Sequence, residues 1–326
     1  MKIGKILSLT ACSVLAGSLY AGSSTMNFAN VYEKECQGCH GPIHQGGVGS
    51  DLRPDALKKK ERHVLRDAIM NGVPNTAMPQ WQHMFSKDDA DGMVDWLMDW
   101  KDNTNFKLNL EEIKGTWTKL ADRDELAKKY PNSVDTKSVL DITFATERDA
   151  SLVDFIDSTN GKVLSRHKAG FAVHVTVTNK TNPRYAYSIS RSGRLTMFDI
   201  AAPGQPAIAS VQVGFESRGL AVSPDGKYVI AGNYTPGGAV LCDAMTLEPL
   251  KAYDTSAVIN TEGQIEASRV ASLADTPYGP YFAMALKDAG RVYLIDYSKP
   301  GFPIVGDVPN IGKILHDAFL NEDEGK

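Results

Sequence analysis

The residues best equipped for chemistry sit together in Cys36-Gln37-Gly38-Cys39-His40. Two thiols separated by two residues, with an imidazole directly behind them, admit three readings: a redox pair, half of a zinc site, or the attachment points of a c-type haem. A zinc site needs a second ligand pair, and no other Cys or His pair here has suitable spacing. Haem attachment uses the whole motif. The thiols add to the two vinyl groups along one porphyrin edge, and the chain then turns so that His40 lies under the iron as proximal ligand. Covalent haem c on Cys36, Cys39 and His40 is the first expectation.

The elements that must position this motif surround it. Asn27 to Glu35 has Phe28, Val31 and Tyr32 at helical spacing and leads into the cysteines. Gly41, Gly46, Gly47 and Gly49 form a loop behind His40. Glu61 to Met70 reads as a second helix, with Val64, Leu65, Ala68 and Ile69 apolar and Asn71-Gly72 as its stop. Asp88 to Trp100 reads as a third, with Met93, Trp96, Leu97 and Trp100 on one stripe. Between them Met78 precedes Pro79, a position disfavoured within a helix, so it belongs to a loop. From there its thioether reaches the far side of the iron; Met84, His83, His63 and His44 compete for that role. A His/Met pair raises the reduction potential and suits an electron carrier. In this order of elements residues 24–101 resemble an all-α class I cytochrome c domain.

At 326 residues, with 42% hydrophobic and 23% charged, the chain has the size of two globular domains. The net charge of −4 and the lack of a basic cluster argue against a nucleic-acid partner. Residues 1–21 read as an export signal: Lys2 and Lys5 at the start, Ile6 to Ala16 apolar, Leu19-Tyr20-Ala21 as cleavage site. The apolar stretch is shorter than the roughly 20 residues needed to span a bilayer. Lipidation at Cys12 is the competing reading. Export to the periplasm agrees with haem attachment, which takes place outside the inner membrane. Cys242 then has no partner and reads as a small buried hydrophobe on a strand.

Residues 102–137 are charged and weakly periodic and read as a linker. From 138 to 326 the pattern becomes short strands rich in Val, Ile, Phe and Tyr, broken by Gly, Pro, Asn and Asp. Apolar strands closing on aspartate recur at Asp157, Asp199, Asp243 and Asp296, a period of roughly 40 to 50 residues that predicts four-stranded β-propeller blades. About four blades fit. The expectation is an incomplete, all-β propeller segment, completed by a second copy or a partner chain, or else a truncated product.

A cytochrome c domain followed by such a segment resembles the cytochrome cd1 nitrite reductase family. The matching stretches are Thr146 to Ala150, Gly170 to His174, Ser192 to Arg194, Val213 to Arg218, Ala231 to Tyr234, Thr246 to Pro249 and Ile314 to Asp317. The resemblance implies haem d1 on the propeller, with His174 as its proximal ligand and His316 as a distal, proton-donating catalytic residue. Arg148, Arg191 and Arg218 would then partner the macrocycle's carboxylates. Taken alone, a single strand histidine such as His174 is more often structural. The family's second distal histidine lies in a later blade and has no counterpart here. Asn233 to Gly238 and Ala267 to Val270 also resemble relatives that act in haem d1 assembly.

Three functions follow. The first passes electrons from haem c to haem d1 and reduces nitrite to nitric oxide in denitrification, with a small cytochrome c or cupredoxin as donor. The second has the same architecture but dehydrogenates a haem d1 precursor. The third is a non-catalytic electron-transfer cytochrome.

Overall fold

The structure, a computed structural model, describes residues 26–41, 44, 46, 49–100, 108–276 and 278–317. The expected export signal and Cys12 lie outside the described residues.

Helices dominate the first part. Phe28–Val31 (α1), a wider helical turn over Tyr32–Cys36, and Gln37–His40 (α2) follow one another without a break. The helix therefore carries the whole Cys-x-x-Cys-His motif instead of stopping at Glu35. Asn27 caps its start, accepting from the Asn30 N–H. Then come Pro54–Leu57 (α3), Arg62–Asn71 (α4) and Lys87–Met98 (α5). A capping box between Ser86 and Asp89 opens α5, which buries Ala90, Met93, Val94 and Leu97. Ala90, Met93 and Leu97 pack with Tyr32, Leu57 and Phe85 in one apolar core. On α4 the inner stripe is Leu65, Ala68 and Ile69, whereas Val64, expected on it, is 47% exposed. The i, i+3, i+4 spacing of the three leaves Val64 on the outer side.

The connecting residues are more than a tether. Leu110–Gly115 (α6), Thr118–Lys119 (β1) and Arg123–Lys129 (α7) pack onto the sheets that follow. β1 pairs with the outer strand of the second sheet, covering an edge that would otherwise be open to pairing. Arg123 and Trp117 donate to the carbonyls of Met245 and Thr246.

Four antiparallel sheets make up the rest. The first holds Ile142–Glu147 (β2), Leu152–Asp157 (β3) and Lys162–Lys168 (β4). The second holds Val173–Thr178 (β5), Tyr185–Ser190 (β6), Arg194–Asp199 (β7) and Ala207–Gln212 (β8). The third holds Glu216–Val222 (β9), Tyr228–Thr235 (β10), Gly238–Asp243 (β11) and Pro249–Asp254 (β12). A small hairpin, Val258–Ile259 (β13) with Ile265–Glu266 (β14), precedes the last sheet. That sheet holds Val270–Asp275 (β15), Tyr281–Leu286 (β16), Arg291–Asp296 (β17) and Ile304–Val308 (β18). β9 packs between β5 and β15, and β2 packs on β5, so the sheets stand side by side as propeller blades. Three apolar cores fill the spaces between successive blades.

The aspartate repeat fixes which strands are equivalent. Asp157, Asp199, Asp243 and Asp296 close β3, β7, β11 and β17. Each carboxylate accepts from a backbone N–H two residues on, at Thr159, Ala201, Met245 and Ser298, which turns the chain back. By that equivalence β2 matches β6, β10 and β16, and among the described residues the first blade shows no innermost strand. The expected four strands per blade are therefore three in the first. Cys242 is fully buried on β11, where burial pushes its thiol pKa up.

Candidate functional site

The first half of the site is a cavity of about 340 Å3 in the helical region. Cys36, Cys39, His40 and Met78 all line it, with Leu65, Ile69 and Phe85 among its apolar walls. The His40 ring is buried, and its Nδ1 lies 2.8 Å from the Ser50 carbonyl oxygen. A carbonyl can only accept, so Nδ1 carries the proton and Nε2 keeps the lone pair an axial ligand needs. Gly49 lies against the ring, where a Cβ would come within 2.7 Å of Cε1. The Tyr32 hydroxyl donates to the Gly41 carbonyl at 2.7 Å and pins the turn behind the motif.

Met78 is brought in by the α4 stop. Gly72 has φ +71°, and a Cβ there would lie 2.8 Å from the Met78 carbonyl. The Val73 N–H donates to that same carbonyl at 3.2 Å. Of the other ligand candidates, His63, His83 and Met84 are exposed, and none of them lines the cavity. His44 is buried but boxed by Tyr32, Trp96 and Trp100, with ring centroids 4.2, 5.2 and 4.5 Å away. This donor set and apolar wall fit a covalent haem c. Among the described residues, no group of three or more His, Cys, Asp or Glu is disposed to hold a metal ion.

The second half lies at one end of the blades. Arg148 follows β2, Arg191 follows β6 and Lys287 follows β16, while Tyr234 is the penultimate residue of β10. These are equivalent blade corners, so the repeat gathers residues far apart in sequence. Pairing skips at His174 in β5 and again around Tyr234 in β10. Such bulges re-aim a side chain out of the regular alternation.

His174 Nδ1 lies 3.1 Å from the Arg218 carbonyl oxygen, which again puts the proton on Nδ1 and leaves Nε2 with its lone pair. Its pKa is lowered, first by desolvation and then by the charge of Arg218, with Arg191 and Arg148 adding to the effect. The residue as a whole is nevertheless exposed. A neutral imidazole facing outward is a competent metal ligand.

Cations converge beside it. The Arg218 and Arg269 guanidinium carbons lie 4.6 and 5.2 Å from the centroid of the buried Tyr234 ring, and Lys287 Nζ lies 5.7 Å from it. Glu216 accepts from Arg191 at 3.0 Å and from Arg218 at 3.4 Å, and Arg269 is clamped on Asp288 at 2.5 Å. Five cations thus face two carboxylates. Arg218 Nε is buried without a hydrogen-bond partner. A buried unpaired donor is costly unless a ligand satisfies it. The surplus charge, the orphaned N–H and the open His174 fit a metallated macrocycle bearing several carboxylates.

The structure brings together the four expected residues His174, Arg148, Arg191 and Arg218. It leaves His316 exposed at the rim, its Nδ1 2.9 Å from Asp317. The neighbouring Leu315 N–H donates to the Lys287 carbonyl, which keeps this tail beside the cluster. Sequence reasoning missed Glu216, Tyr234, Arg269 and Lys287 as site residues. Glu216, Tyr234 and Arg269 lie in stretches noted for resemblance, but nothing local marks Lys287.

The model of the cytochrome D1 heme domain matches residues 137–325, more than half of the chain. The chain belongs to this family. A second model, cytochrome C oxidase, cbb3-type, subunit III, matches residues 24–97. Dihydro-heme d1 dehydrogenase of Pseudomonas aeruginosa is 26% identical over 96% of this chain and 61% of its own length. Nitrite reductase of Stutzerimonas stutzeri is 26% identical over 88% of this chain and 53% of its own. The solved structure of dihydro-heme d1 dehydrogenase NirN in complex with DHE matches with a TM-score of 0.61 and 27% identity, covering 86% of this chain and 58% of that one. The chain thus spans little more than half the length of these relatives.

Proposed function

We propose that this chain is an exported oxidoreductase that binds a polycarboxylated tetrapyrrole of the haem d1 type and dehydrogenates its dihydro form, with haem c taking the electrons. The observation that carries the reading is the cation cluster around Tyr234 beside an open, neutral His174. His174 Nε2 ligates the macrocycle iron. Arg148, Arg191, Arg218, Arg269 and Lys287 receive its carboxylates, with Glu216 yielding Arg191 and Arg218 as a ligand carboxylate enters.

Haem c, held by Cys36, Cys39, His40 and Met78, supplies one-electron storage at a raised potential. Removal of two hydrogens from the substrate releases two electrons and two protons. The electrons therefore leave one at a time, through a small soluble one-electron acceptor such as a cytochrome c or cupredoxin in the periplasm, and the protons pass to water.

Nitrite reduction is the second reading, and two observations place it behind the first. Nitrite needs protons delivered at the bound oxygen, yet His316 stands at the exposed rim paired with Asp317. The similarity also extends over 96% of this chain for the dehydrogenase and 88% for the reductase.

The test is turnover by protein carrying haem c. Anaerobic dihydro-haem d1 should be converted to haem d1 with an added one-electron acceptor, and nitrite with a reduced donor should give no nitric oxide. Nitric oxide formation without precursor conversion would reverse the assignment.

A further inference from the structure

We propose that Phe171 is a positioning residue that seats the haem-bearing helix on the blade strand carrying His174. The tip of its ring rests on Gly38, between the two haem cysteines. A Cβ at Gly38 would lie 2.5 Å from Phe171 Cζ and 2.6 Å from Cε2, so only glycine admits this approach. The ring leaves a corner that is held from several sides. The Phe171 N–H donates to Ser192 Oγ at 3.1 Å, and its carbonyl accepts from the Ser192 N–H at 3.3 Å. The Ala172 N–H donates to Ser151 Oγ at 3.1 Å, and its carbonyl accepts from the Arg191 N–H at 3.0 Å. Gly170, at φ +89°, has no room for a side chain, since a Cβ would lie 2.3 Å from Ser190 Oγ.

The same corner therefore holds Phe171, is bonded to the backbone of Arg191, and begins the strand on which His174 stands three residues later. A shift of Phe171 moves the haem-attachment helix relative to the cation cluster. The contact sets the separation between the two halves of the site, through one side chain and a short run of bonded backbone. Its consequence for electron delivery rests on the function proposed above; the contact itself does not.

The test uses the full chain with haem c attached, as wild type, Phe171→Ala, the conservative Phe171→Tyr, and Gly38→Val, which pushes the ring away from the other side. Hydrogen exchange of peptides covering 36–41 and 168–175 should speed up together, by about 5-fold or more, in Phe171→Ala and Gly38→Val and stay near wild type in Phe171→Tyr. With dihydro-haem d1 bound, electron arrival at haem c in stopped flow should slow by about 10-fold or more at unchanged macrocycle affinity, as expected for a small misplacement of reacting groups. Unchanged protection in both peptides would overturn the proposed seating. If wild-type protein binds no macrocycle, the functional reading falls, while the exchange experiment still decides the role of Phe171.

Discussion

The two halves of the site are encoded in opposite ways. The haem c crevice takes three of its four expected anchoring residues from one five-residue stretch of continuous helix, and its fourth from a loop fixed by a helix stop. The cation cluster takes Arg148, Arg191, Arg218, Tyr234, Arg269 and Lys287 from separate corners of four blades, across some 140 residues. One is written locally and enclosed by apolar walls. The other exists only after blades stack, and it is polar, half-open and electrostatically unbalanced. The lesson is that a covalent cofactor needs a contiguous motif, whereas a dissociable, charged ligand can be met by a repeated position.

The comparison breaks most sharply at the motif. In His40→Ala, stable haem c should be lost almost completely, read from the covalent haem content of purified protein, while macrocycle binding by the blades persists. If both binding activities vanish together, the halves are not independent. The next largest effect is His174→Ala, which removes the proposed axial ligand: macrocycle affinity should fall by about 100-fold, at the scale of roughly 2.7 kcal/mol, with haem c spectra unchanged. Arg218→Ala should weaken binding by about 10-fold, the loss of one charge-assisted hydrogen bond, measured by optical titration at fixed salt. Met78→Ala should keep haem attached but lower its midpoint potential by on the order of 100 mV, since axial identity sets that potential. An unmoved potential would transfer the axial role to another residue.

The smallest effect concerns His44. Burial, with His40 adding to it, lowers its pKa from 6.5 to about 4. The unfolded chain takes up this proton below pH 6.5 and the folded chain resists it until about pH 4. Stability should therefore be complete above that window and fall as pH drops through it, by up to about 3 kcal/mol in the helical region. His44→Gln should flatten this slope in denaturant midpoints measured between those pH values.

Much of the fold was legible because two periodicities were strong. Helical spacing located α4 and α5, and the aspartate-closed strands located the third strand of every blade. The first helix runs past Glu35, where the helical spacing bounds it, because the Cys-x-x-Cys-His residues continue it and no stop signal precedes Gly41. The three-stranded first blade could not be read from a repeat that marks third strands only. In the site, His40 and Met78 came from motif and loop chemistry alone. His174 and the arginines came from resemblance, since a single histidine on a strand carries no local signal. Lys287 was invisible because its role depends on blade neighbours, which no window of sequence contains, and Glu216, though inside a matching stretch, shows its role only once Arg191 and Arg218 are brought together.

The most direct test of the account is anaerobic mixing of half an equivalent of dihydro-haem d1, which carries two electrons per molecule, with the oxidised, haem c-loaded protein, followed by absorbance. The account predicts that the haem c bands shift to the reduced form at the rate at which the macrocycle is oxidised, and that His174→Ala abolishes both changes. Haem c that stays oxidised while the macrocycle remains free in solution would contradict it.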